Sequence, residues 1–262
     1  MSATYALTDS VTMLRRNLVR FRRYPAMSTM IILIPIILML MFDFFFGGAL
    51  KGAIGGDAAL GGKYVNYLVP GLILMIPAYM IVSVAVSVCS DMTKGIVKRF
   101  RTMQVSPSSI LFGHVIGAMI QAMLSVTALI AVALLIGFRP TAGVVEWCAA
   151  AGLFAMTVFA FVWLAAGFGL AAKTPESASN MPFPIMMLPY LGSGLVPTEG
   201  MPAGVRQFAQ YQPFSPIAET LRGLLMGTAI GNNGVIAIAW CVGIGVIGYV
   251  WSTTTFRRKT TA

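Results

Sequence analysis

Between Asp91 and Pro107 the chain alternates bases with apolar side chains: Lys94, Lys98, Arg99 and Arg101 are interleaved with Ile96, Val97, Phe100 and Met103. Recognition is the chemistry open to such a stretch. A short helix can seat Phe100 and Met103 as apolar knobs in a groove on another protein, while the bases fix its orientation. A loop that only had to stay solvated would have no use for Phe100.

Covalent chemistry lacks its ingredients. There is one histidine, His114, and no HExxH motif, Cys/His cluster or facing carboxylate pair. The nearest approach to a phosphate loop is Gly62–Lys63, but Tyr64 stands where Ser or Thr is required and Asp57 occupies the first glycine position. Gly243, Gly245 and Gly248 spell a dinucleotide fingerprint. They lie inside an apolar run with no preceding strand, so close helix contact is the expected use, as for Gly113 and Gly117. No enzyme activity, metal or cofactor is expected in this chain.

The elements that must position the 91–107 segment follow from composition. Of 262 residues 58% are hydrophobic and 10% charged, against roughly 25% charged in soluble domains, so lipid is the expected solvent. A net charge of +10 would suggest nucleic acid in a soluble protein, but here the bases cluster beside apolar runs, the signature of membrane orientation. Cys89, Cys148 and Cys241 are dispersed in apolar stretches and are expected to be buried thiols.

Hydropathy places six transmembrane helices near 27–46, 67–90, 110–137, 146–172, 181–197 and 234–256. The first run is longer than a signal h-region and is read as an uncleaved span. The fifth is crowded by Pro182, Pro184, Pro189 and Pro197 and is expected to be kinked or partly unwound. Thirteen of the 18 Lys and Arg fall on the N-terminal side of the first span or on the same side of the later ones, so both termini are expected to be cytoplasmic. Residues 91–109 then form a cytoplasmic loop, and 198–233 an outer re-entrant segment. Ser215–Pro216 opens a short helix through Met226 there, with Glu219 toward its positive end and Arg222 toward its negative end. Within 1–26, Leu7, Val11, Leu14, Leu18 and Phe21 form one helical stripe, with Arg16, Arg20 and Arg23 opposite, an interfacial helix by pattern.

Polar stripes run along the second span (Tyr79, Ser83, Ser87, Ser90) and the third (His114, Gln121, Ser125). Such groups must look into the bundle or toward a partner chain, as interhelical hydrogen bonds or as part of a substrate path. Asp43, Asp91 and Glu146 all lie near span ends, which weighs against an ion-coupled multidrug antiporter, the alternative reading. A structural or assembly subunit is a third. Met39, Phe42, Met186, Met187 and Tyr190 are candidates for the path or for contact with a second membrane chain, because methionine and aromatics suit an adaptable apolar route.

The order of these pieces resembles the permeases of type-2 ABC exporters, in the daunorubicin-resistance branch. The family pattern runs from an acidic residue through Thr-x-Gly-Ile to Arg-Phe-Arg, a small residue and Met, matched by Asp91, Thr93, Gly95, Ile96, Arg99, Phe100, Arg101, Thr102 and Met103. It continues in Leu195-Val196-Pro197, Met201-Pro202, Gln212-Pro213 and Leu221-Arg222-Gly223-Leu224, and departs at Lys98, Gln104, His114 and Gln121. The resemblance implies an all-α permease of the prokaryotic inner membrane, exporting an amphiphilic drug, antibiotic, lipid or glycolipid. Two permease chains, identical or related, would pair above two separate ATPase subunits that hold the ATP and Mg. Residues 91–105 would be the coupling helix seated in the ATPase, with Asp91, Lys94, Gly95, Arg99, Phe100, Arg101 and Met103 making the contact.

Overall fold

The computed structural model describes residues 25–54, 63–93 and 107–261. The expected interfacial helix, with Leu14, Arg16, Leu18, Arg20 and Phe21, lies outside the described residues, as do Lys94, Gly95, Arg99, Phe100, Arg101 and Met103.

Every regular element among the described residues is helical. These are α1 (Pro25–Ile54), α2 (Tyr64–Ile73), α3 (Met75–Thr93), α4 (Pro107–Ile136), α5 (Val144–Ala171), α6 (Pro175–Asn180), α7 (Phe183–Met187), α8 (Ala203–Tyr211), α9 (Phe214–Met226) and α10 (Asn233–Thr261). Single 3-10 turns cover Leu188–Leu191 and Thr198–Gly200. Among the described residues four stretches are long and apolar enough to cross a bilayer: 64–93, 111–136, 144–171 and 233–259. They overlap the expected second, third, fourth and sixth spans. The first apolar run appears as a shorter apolar stretch, Thr29–Phe45, within α1.

The expected fifth span is not one helix. Pro182 and Pro184 bracket the start of α7, Pro189 sits in the following 3-10 turn, and Pro197 precedes the next. A proline lacks the N–H that would continue the ladder, so four of them leave only short turns. A similar interruption divides the second span: Leu74 separates α2 from α3, and Pro77, which has no N–H to give, lies in the first turn of α3. The following backbone bonds are re-made with Leu74 N–H to Gly71 O at 3.1 Å and Ala78 N–H to Leu74 O at 3.4 Å.

Helix α5 is the hub, packing along α10 on one side and α3 on another, with α4 and α9 also against it. In the most apolar windows of the α2–α3 stretch and of α5, 72% of residues are buried within the chain, against 17% in α10, so α10 is the peripheral wall. The α5–α10 seam is close because of glycine. A methyl on Gly248 would lie 2.5 Å from the Leu164 backbone nitrogen, and one on Gly167 would meet the Trp251 ring. Trp163 packs edge-on to Tyr249 at 4.9 Å between centroids, and Phe168 to Trp251 at 5.1 Å. Of the GxGxxG glycines, Gly248 and Gly245 serve this packing, whereas Gly243 faces open space. Cys89 and Cys241 are buried, but Cys148 is exposed, contrary to expectation, because it lies on the open side of the first turns of α5.

Candidate functional site

At one end of the bundle, α3 and α4 are tied by an ion-capable pair. Asp91, in the last turn of α3, and His114, two turns into α4, place Oδ2 and Nε2 3.1 Å apart, with side chains only 7% and 5% exposed. The two residues stand on either side of the 94–106 segment, so the contact joins the helices that flank it. Nearby, Thr93 donates its hydroxyl to the Cys89 carbonyl at 3.0 Å, which stops the side chain from competing for the helix end. The sequence placed Asp91 and His114 separately, and a 23-residue separation across a loop carries no signal that they meet. The remaining stripe residues differ in use: Ser125 spends its hydroxyl on the Gln121 carbonyl of its own helix, and the buried Gln121 Nε2 has no hydrogen-bond partner among the described residues.

In the second turn of α3, the Tyr79 hydroxyl meets the Tyr190 hydroxyl of the 3-10 turn after α7. The broken fifth segment is thereby pinned to α3 by a polar contact. Met186 and Met187 are half-buried beside it, and Phe42 is half-buried on α1. Met39 is fully buried in the core of its own chain, so it has no surface to offer a path or a second chain. The outward stripe of α1 is instead Leu33, Ile37, Met41 and Phe44, with Phe44 81% exposed.

At the other polar centre, Arg222 is buried in α9, the element that the sequence reading expected to begin at Ser215–Pro216. The helix begins two residues earlier, with Pro213 rather than Ser215 at the N-cap position, and the Gln212 side chain accepts from the Phe214 N–H at 3.1 Å. Ser215 is therefore no cap; its Oγ accepts from the Ser193 N–H and the Gln212 amide and donates to Ala209 O. The helix stops as expected at Gly227, left-handed at φ 73°, whose N–H returns to Gly223 O. At 13 residues it is about 20 Å long, too short to cross a bilayer.

A guanidinium in such a place needs partners on all sides. Arg222 Nη1 lies 2.6 Å from Glu219 Oε2, one helical turn back. Nε and Nη2 donate to Tyr67 O at 3.3 and 3.2 Å, and Nη2 also donates to Ser193 O at 3.1 Å. The guanidinium carbon is 3.7 Å from the Tyr67 ring centroid. Tyr67 and Tyr64 in turn donate their hydroxyls to Ser193 O and Leu195 O, each at 2.6 Å. One cation thus clamps α2, the 192–195 backbone and α9. Sequence reasoning singled out Glu219 and Arg222 but missed Tyr64, Tyr67 and Ser193. The available signal was a lone arginine flanked by Leu221 and Leu224, which has to find acceptors on other elements.

Among the described residues no group of three or more His, Cys, Asp or Glu could hold a metal ion. The helical bundle and its span lengths fit what comparison with known proteins finds. The family pattern described as ABC-2 type transporter matches residues 8–226, most of the chain. The chain is also 26% identical over 253 residues to the daunorubicin resistance ABC transporter permease protein DrrB1 of Streptomyces coeruleorubidus, covering 96% of this chain and 86% of that protein. A match over most of its length, on an all-helical body with several bilayer-length apolar helices, makes this chain a member of the ABC-2 type transporter family, a multi-pass plasma-membrane permease subunit of an ABC exporter.

Proposed function

We propose that the chain carries an amphiphilic substrate out of the cell, driven by two copies of a separate ATPase that grip the 91–105 segment. The relative's name ties that protein to daunorubicin resistance, and by similarity an amphiphilic drug, antibiotic, lipid or glycolipid is the substrate class here. In this reading both termini are cytoplasmic, the broken fifth segment completes a six-span topology, and α9 belongs to an outer re-entrant hairpin. ATP and Mg reside in the partner.

The observation that carries the coupling role is the Asp91–His114 pair. Force applied to the segment between α3 and α4 reaches two helices already fastened to each other, and α3 passes it to α5 through close packing. That packing is stiff: a methyl on Gly169 of α5 would collide with the Ala85 carbonyl of α3. A second permease chain, identical or related, would complete the path, with the outward α1 stripe and the Tyr190 region as the surfaces offered to it.

The test is co-purification. Phe100→Ala combined with Met103→Ala should release the ATPase while the permease remains in the membrane. Undiminished co-purification refutes the coupling role.

A further inference from the structure

Helices α5 and α10 run parallel and keep one register along their seam. The Thr157 hydroxyl lies 3.4 Å from Cys241 Sγ, Gly167 is closed against the Trp251 ring, and Gly248 against the Leu164 backbone, each pair 84 positions apart. Continued past the end of α5 at Ala171, that register brings Lys173 level with Arg257. Lys173, Arg257, Arg258 and Lys259 are all exposed, so four bases gather at one end of the seam. Among the described residues, the acids at this end are Asp91, buried against His114, and the exposed Glu176 in the first turn of α6. Positive charge is in excess there.

The surface that leads to these bases says what would cover them. Val242, Val246, Val250 and Arg257 follow at steps of four, four and seven, one stripe on a helix. The three valines are 53%, 57% and 51% exposed, and Gly243 beside them opens onto empty space, so the stripe is a smooth apolar track on the peripheral wall of the bundle. From Val246 to Arg257 it runs about 16 Å along the helix axis. That is about half of the roughly 30 Å hydrocarbon core, the depth of one leaflet. A molecule that fills the track is apolar over that depth and negative at its end. An anionic phospholipid has this form, with an acyl chain along the valines and its phosphate among the bases. A soluble anion would leave the track unused, and a zwitterionic lipid would bring its own cation to a positive corner.

We infer that the outer face of α10, ending in Arg257 and Arg258 with Lys173 and Lys259 beside them, is a binding site for an anionic phospholipid. The inference goes beyond the exporter reading and does not depend on it, because binding is measured without ATP or ATPase. Full-length permease in detergent is titrated, in native mass spectrometry, with dioleoyl phosphatidylglycerol and with dioleoyl phosphatidylcholine. The anionic lipid should bind about tenfold more tightly. Arg257→Gln with Arg258→Gln should reduce that preference below about twofold, and each single variant should reduce it about threefold, which keeps the test open if the double variant does not fold. Arg257→Lys with Arg258→Lys should retain it, since the charge is what is read. Lys63→Gln with Arg206→Gln, exposed bases on other elements, should leave it unchanged. Millimolar sn-glycerol 3-phosphate, a headgroup without acyl chains, should displace nothing. Equal binding of the two lipids, a preference undiminished in the glutamine variants, an equal loss in the Lys63 and Arg206 variant, or displacement by glycerol phosphate overturns the inference.

Discussion

The guanidinium of Arg222 sits 3.7 Å over the Tyr67 ring while its Nη2 reaches the Tyr67 carbonyl, so one residue of α2 holds a buried cation of α9 by both its ring and its backbone. Replacing Arg222 by Leu removes the three hydrogen bonds it donates to the Tyr67 and Ser193 carbonyls and leaves Glu219 without its counter-charge. The expected loss is about 3 kcal/mol, discounted from a fully buried pair because Glu219 is 32% exposed. Denaturant unfolding in detergent micelles measures it. Arg222→Lys should be intermediate, since a point charge cannot span two carbonyls and a carboxylate. A loss below about 1 kcal/mol for the leucine variant would mean that the clamp is dispensable.

The Asp91–His114 contact should appear as a coupling energy. A double-mutant cycle on Asp91→Ala and His114→Ala is expected to give about 1–2 kcal/mol, because both side chains are buried and only 3.1 Å apart. Single variants should also lower transport per ATP consumed more than they lower ATP hydrolysis, if force enters through the 91–105 segment. A coupling energy indistinguishable from zero would detach the pair from that role.

Two glycines on α10 provide an internal contrast. Gly248→Ala forces a methyl against the α5 backbone and should cost about 1–3 kcal/mol. Gly243→Ala, in open space on the same helix, should be neutral or stabilising by up to about 1 kcal/mol. Thermal midpoints of the two variants decide whether close approach, rather than glycine content, matters here.

Gly71 makes the closest backbone approach outside the long-helix seams. A methyl there would strike the Gly194 carbonyl, and one on Gly194 would lie 3.2 Å from Gly71 Cα. Gly71→Ala should therefore loosen the 192–195 backbone from α2 and expose the Tyr64 and Tyr67 hydroxyls. Faster amide exchange confined to residues near Gly194 is the expected signature, with a stability loss of about 1–3 kcal/mol.

Glu176 gives a pH prediction. Its carboxylate accepts from its own backbone N–H and from Thr174 at the start of α6, and these bonds hold its pKa below the usual value of 4.5. A depressed folded-state pKa means stabilisation that is present above the unfolded value and fades as pH falls through the folded one. Order in α6, read by amide exchange, should thus persist down to pH 4.5 and decline below it, and Glu176→Gln should flatten that dependence.

Span-length apolar runs were legible without coordinates because burying a helix in lipid demands about 20 apolar residues, a local property of the chain. So were the end of α9 at Gly227, the proline disruption of 181–197 and the packing use of Gly248, since each follows from the backbone chemistry of one residue type. Partnerships were another matter. Asp91 with His114, Tyr79 with Tyr190, and Arg222 with Tyr67 and Ser193 join residues up to 155 positions apart. A buried charge or hydroxyl announces that it needs a partner, but which one it meets is decided when helices pack. Burial of Met39 and exposure of Phe44, a little over one turn apart on α1, were settled in the same way: both are apolar, and only the neighbours of the helix determine which face turns inward.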